Sequence, residues 1–125
     1  MSVEWFTNEK EKYATIYESS ITLNTVAANY FKNTYSTIIG FDKESNNLLI
    51  KPISKEEVDV RNISSDDLHS ISIKPSFGRI TGKNIIKKLI LYFPIDFKNS
   101  KSHKYICEWS NEEKLLKILL EREIK

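Results

Sequence analysis

Cysteine, glycine and proline are scarce in this chain: one, three and three in 125 residues. A lone thiol, Cys107, forms no internal disulfide and no cysteine-based zinc site. The two histidines, His69 and His103, stand far apart. Neither Cys-x-x-Cys nor His-x-x-x-His spacing occurs, so no metal and no cofactor is expected. A Gly-rich phosphate loop and a Gly-x-Ser-x-Gly elbow are both missing, and no catalytic residue is assigned. No apolar run approaches the roughly 20 residues of a membrane span. Met1 to Trp5 lacks the basic flank and apolar core of a signal peptide. The expectation is a cytoplasmic protein, one compact body, with no membrane partner.

What is present is charge, unevenly placed. The net charge is only +2. Residues 1–62 carry seven Lys/Arg against nine Asp/Glu, a balance of −2. Residues 70–106 carry eight Lys/Arg against Asp96 alone, a balance of +7. Such asymmetry points to a polyanionic or acidic partner, or to an ordinary solvated lysine face.

Hydrophobic patterning places the elements. Trp5 and Phe6 are expected to tie a polar entry segment, 1–12, to the body, since a wet aromatic pair is costly. Tyr13 to Leu23 reads as extended, with a turn at Glu18-Ser19-Ser20. Asn24 is a candidate N-cap for a short helix whose face is Ala27, Tyr30 and Phe31. Ser36–Phe41 and Leu48–Ile53 flank a strong turn signal, Asp42 to Asn47, and predict a β-hairpin. Residues 54–69 read as an acidic linker with one helical turn after Ser54. Ile71, Ile73, Phe77 and Ile80 lie in an extended region broken by Pro75 and Gly78. Lys83–Leu91 is helical, with Ile85, Ile86 and Leu89 as its stripe and Pro94 as its stop. Lys104–Trp109 reads as a strand. The final segment is ambiguous: Ser110-x-x-Glu113 fits a helix capping box, whereas the order of elements argues for a strand over Leu115–Leu120.

That order repeats. Ser20-Ile21-Thr22-Leu23 and its helix to Phe31 align with Arg79-Ile80-Thr81-Gly82 and its helix to Leu89, after a one-residue gap. Hairpin 37–53 then pairs with 105–120. The expected fold class is α+β. Two β-arm/short-helix/β-hairpin repeats, 13–53 and 70–125, form a small pseudo-symmetric β-barrel-like body.

Gly78-Arg79-Ile80-Thr81 followed by Lys83-Asn84-Ile85-Ile86-Lys87-Lys88-Leu89 resembles the AbrB-like swapped-hairpin superfamily of transition-state regulators and MazE-type antitoxins. Two copies in one chain are similar to the MraZ arrangement. The chain departs from the family pattern at Gly82, where an aliphatic-Pro step is usual, and at Ser20, which is not basic. The resemblance implies double-stranded DNA binding through Arg79, Lys87 and Lys88, with Lys74 and Lys83 as neighbours. Arg79 is the candidate for reading a base, and otherwise a surface ion pair. Lys83, Lys87 and Lys88 share one helical side and offer phosphate contacts. Tyr92, Phe93 and Phe97 read mainly as core, with base stacking as the alternative. Asp66 and Asp67 beside His69 read as a solvated patch or a helix cap. Cys107 reads as a buried small hydrophobe. The expected function is a non-enzymatic DNA-binding regulator, with a homodimer doubling its grip on a two-fold operator. The alternative is a protein-interaction module, an antitoxin or mobile-element inhibitor, docking its basic strip on an acidic protein surface.

Overall fold

The computed structural model describes residues 2–5 and 11–125. It is α+β: one eight-stranded, wholly antiparallel sheet, with three short helices. The strands are β1 (Lys12–Tyr17), β2 (Ser20–Asn24), β3 (Ser36–Asp42), β4 (Asn47–Ile53), β5 (Ser72–Ile73), β6 (Phe77–Thr81), β7 (Ser102–Ser110) and β8 (Leu115–Ile124). The helices are α1 (Thr25–Ala28), which runs on into a 3-10 turn at Asn29–Phe31, α2 (Lys55–Arg61) and α3 (Lys83–Tyr92). In space the strands run β3-β4-β8-β7-β1-β2-β6-β5. The sheet curls until its two ends meet at a single bridge, Thr37 to His69, with backbone hydrogen bonds of 3.0 and 2.8 Å.

Alternation gives the sheet one buried face. Ala14 and Ile16, Ile21 and Leu23, Leu48 and Ile50, and Tyr105 and Cys107 point inward and are buried. Ile80, Leu116, Ile118 and Leu120 complete the strand side of the core. Each such aliphatic side chain contributes about 1.5–3 kcal/mol by leaving water. α1 adds Ala27 and Ala28, its 3-10 turn adds Phe31, and α3 adds Ile86 and Leu89. Gly78 sits inside β6 rather than breaking it. A Cβ there would lie 3.0 Å from the Ala28 Cβ, so the missing side chain lets α1 press on the strand. The break falls instead at Lys74-Pro75-Ser76, between β5 and β6.

Helix and turn chemistry follows the sequence with two departures. Asn24 caps α1 as expected, its Oδ1 accepting from the Ala27 N–H at 3.1 Å. Ser54 does more than start one turn: it forms a capping box with Glu57, and α2 runs to Arg61 before Asn62 closes it in the left-handed region. In the final segment the strand prevails. The Ser110 hydroxyl accepts from the Glu113 N–H at 3.1 Å, yet this local cap shapes a hairpin tip between β7 and β8.

The two hairpin tips are built alike. Asp42 pairs with Asn47 in one, and Ser110 with Leu115 in the other. Asn46 and Lys114 both adopt φ of 56°. Each N–H donates at 2.8 Å to the carbonyl of the residue that opens its tip, Asp42 or Ser110.

Trp5 does not anchor the entry segment; its side chain is 85% exposed. Its partner in that expectation, Phe6, lies outside the described residues.

Candidate functional site

Two surfaces concentrate the chemistry. The first is the outer face of the sheet where β7, β1, β2, β6 and β5 lie side by side. Lys104 pairs with Thr15, Thr15 with Thr22, Thr22 with Arg79, and Arg79 with Ser72. These five residues therefore form one row across five strands, pointing away from the buried neighbours on either side. The row contains no carboxylate and carries a cation at two of its positions.

Local contacts hold those cations. The Arg79 Nε–H donates to Thr22 Oγ1 at 3.2 Å, and its guanidinium lies 5.1 Å from the Phe77 ring centre. The Lys104 ammonium lies 4.3 Å from the Tyr13 ring centre. Both cations stand over an aromatic face, which fixes them without neutralising them. Neither forms an ion pair among the described residues.

The other expected site residues lie outside this row. Lys74 is exposed in the turn between β5 and β6. Lys83 opens α3 directly after Gly82, and Lys87 is exposed one turn later. Lys88 belongs to a different surface, for it lines a cavity of about 670 Å³. Lys104 was visible only as one charge in the basic stretch. Its place opposite Thr15 depends on β1 pairing with β7, which no local pattern reports.

The cavity is the second surface. One wall is α3 (Asn84, Lys88, Tyr92), another is the linker (Arg61, Asp66, Asp67, His69), and the floor is β3. The fold thus brings Asp66, Asp67 and His69 together beside Lys88. The His69 pKa is lowered, first by burial and then by Lys88, with Asp67 opposing. The His69 backbone closes the sheet at Thr37. Tyr92 stacks on Phe41 at 5.2 Å between ring centres, and the Lys43 ammonium lies 5.2 Å from Tyr92. Phe93 and Phe97 pack against the core rather than standing free.

Two further groups are structural. Cys107 is buried, and burial pushes its thiol pKa up to about 12. His103 bridges two acceptors: Nδ1 meets Glu123 Oε2 at 3.0 Å and Nε2 meets the Asp96 carbonyl at 2.7 Å. Among the described residues no group of three or more His, Cys, Asp or Glu is placed to hold a metal ion. No described helix is long and apolar enough to cross a membrane.

No family model, no curated protein and no solved structure matches this chain.

Proposed function

We propose that the chain is a DNA-binding regulator, acting by contact rather than catalysis, which meets the duplex with the outer face of β7, β1, β2 and β6. The cross-strand row Lys104–Thr15–Thr22–Arg79 carries this reading. Its two cations stand three strand spacings apart, about 14 Å. That separation is close to the roughly 12 Å width of a major groove, so each can reach one phosphate ridge. The threonine hydroxyls between them suit phosphate or base-edge contacts. Lys74, Lys83 and Lys87 are further exposed cations from the same stretch of chain, whereas Lys88 faces the cavity.

The AbrB-like, tandem-repeat reading belongs to the same proposal, with copies at 13–53 and 70–125 around an inner two-fold. The topology supports it. Exchanging β1–β4 for β5–β8 in the strand order, closed through the Thr37–His69 bridge, returns the same order. The exchange also maps the Ala14–Tyr105 pair onto His69–Thr37, and one hairpin tip onto the other. Ile21 pairs with Ile80, its own counterpart in the sequence alignment.

Gel-shift titration against random duplex at two salt concentrations tests the function. Binding should weaken steeply as salt rises, because each neutralised phosphate releases counterions. Lys87→Ala should make the slope shallower, and Lys88→Ala, on the cavity side of α3, should leave it unchanged. Arg79→Ala should lose about 1–3 kcal/mol of sequence preference if it reads a base. A uniform loss across sequences would make it a backbone contact. Absence of binding at low salt would sink the DNA reading and favour the alternative, docking of the basic surface on an acidic protein.

A further inference from the structure

The two hairpins share a tip geometry, yet their outer edges are treated differently. On β7, β1 covers the edge with six consecutive pairs, from Lys12–Cys107 to Tyr17–Ser102. On β3, the equivalent cover stops after one pair, Thr37 with His69. Instead of continuing along β3, the linker turns away. Ser65–Asp67 forms a 3-10 turn capped by Ser64, whose Oγ accepts from the Asp66 N–H at 3.3 Å. The cavity is the space this turn leaves.

The exposed edge has defined chemistry. The Thr37 N–H and C=O both point to His69, so in an antiparallel strand those of Ile39 and Phe41 point the same way. Beyond the ladder with β4, neither residue has a backbone partner among the described residues. Gly40 lies between them, and a Cβ there would meet nothing within 4 Å. Apolar groups from Ile85 and Leu89 back the space, while Lys43, Arg61 and Lys88 outnumber Asp66 and Asp67 around it.

We infer that the β3 edge at Ile39–Phe41 is a docking site for an extended peptide segment of a partner protein, apolar at alternate positions and flanked by acidic residues. The segment adds a strand where residues 65–67 turn away, just as β1 does on β7. Its backbone meets Ile39 and Phe41, its alternate side chains fill the space against Ile85 and Leu89, and its acidic ends face the cations. This site is separate from the Arg79 row and does not depend on DNA binding.

The test is an NMR titration of the full chain with the peptide acetyl-Glu-Val-Thr-Ile-Thr-Val-Glu-amide. The expected result is saturable shifts confined to β3, the linker around His69 and α3, with slowed hydrogen exchange at Ile39 and Phe41. Ile39→Pro removes one outward N–H on an edge strand, where proline is tolerated. It should weaken binding about tenfold. A peptide N-methylated at its isoleucine should lose binding similarly, with the protein unaltered. A lysine-flanked analogue should bind more weakly. Shifts centred on Arg79, an unaffected N-methylated peptide, or no saturable binding would overturn the inference. Equal binding of the two flanked peptides would overturn its acidic component.

Discussion

Asn24 joins three elements with one side chain, which makes Asn24→Ala a sharp test of how the arm is built. Its Oδ1 accepts from the Ala27 N–H at 3.1 Å, capping α1, and from the Tyr13 N–H at 3.1 Å, on β1. Its Nδ2 donates to the Glu11 carbonyl at 2.8 Å. Losing an N-cap costs about 1 kcal/mol, within a range of roughly 0.5–2. Stranding the part-buried Tyr13 N–H adds about 1–1.5 kcal/mol. The exposed bond to Glu11 adds little, because water replaces it. The sum is about 2–3 kcal/mol. At about 3–5 °C per kcal/mol for a domain of this size, the midpoint should fall by roughly 6–15 °C. Thermal unfolding followed by circular dichroism reads this directly. Asn24→Asp keeps the acceptor but turns a carboxylate oxygen toward the exposed Glu11 carbonyl, so it should recover part of the loss. A fall below about 2 °C for Asn24→Ala, or equal losses for both variants, would rule out this role for the Asn24 side chain.

Other outcomes follow from single groups. His103 faces two acceptors, which only the doubly protonated ring can satisfy together. Burial opposes that charge, but the hydrogen bonds to Asp96 and Glu123 and their charges outweigh it and raise the pKa above 6.5. A raised folded-state pKa means this contribution is full below the unfolded value and is lost as pH rises through the folded one. Chemical denaturation across that window should show His103→Gln flattening the decline. Lys114 holds a left-handed conformation that costs a lysine about 1 kcal/mol or more. Lys114→Gly should therefore raise stability by about 0.5–1 kcal/mol in urea unfolding, and a decrease would contradict the tip geometry. With its thiol pKa near 12 and its side chain buried, Cys107 should resist iodoacetamide in the native state and react after denaturation.

Local chemistry was legible in the residues, and long-range pairing was not. Asn24, the Asp42–Asn47 turn and Pro94 each act through neighbours in sequence, so their positions could be read directly. Ser110 and Glu113 carry a real cap, but a cap fixes only one turn of chain. The apolar partners Leu116, Ile118 and Leu120 then decide for a strand, because they complete the core beside β4. Gly78 looked like a breaker because its use, close contact with Ala28, lies in another element. Lys104 and Arg79 share a row only through β1 and β2, a relation set by register across distant segments. Lys88 parts from Lys87 because α3 is walled by the linker on one side, which helical periodicity alone does not report.

The Lys104–Arg79 row is the proposed DNA surface. The most direct measurement is an NMR titration of the labelled chain with a random duplex at low salt. The largest shifts are expected at Thr15, Thr22, Arg79 and Lys104, reversed by added salt and abolished by Arg79→Ala combined with Lys104→Ala. Shifts absent from this row, or a double variant that binds as tightly as the parent chain, would contradict this proposal.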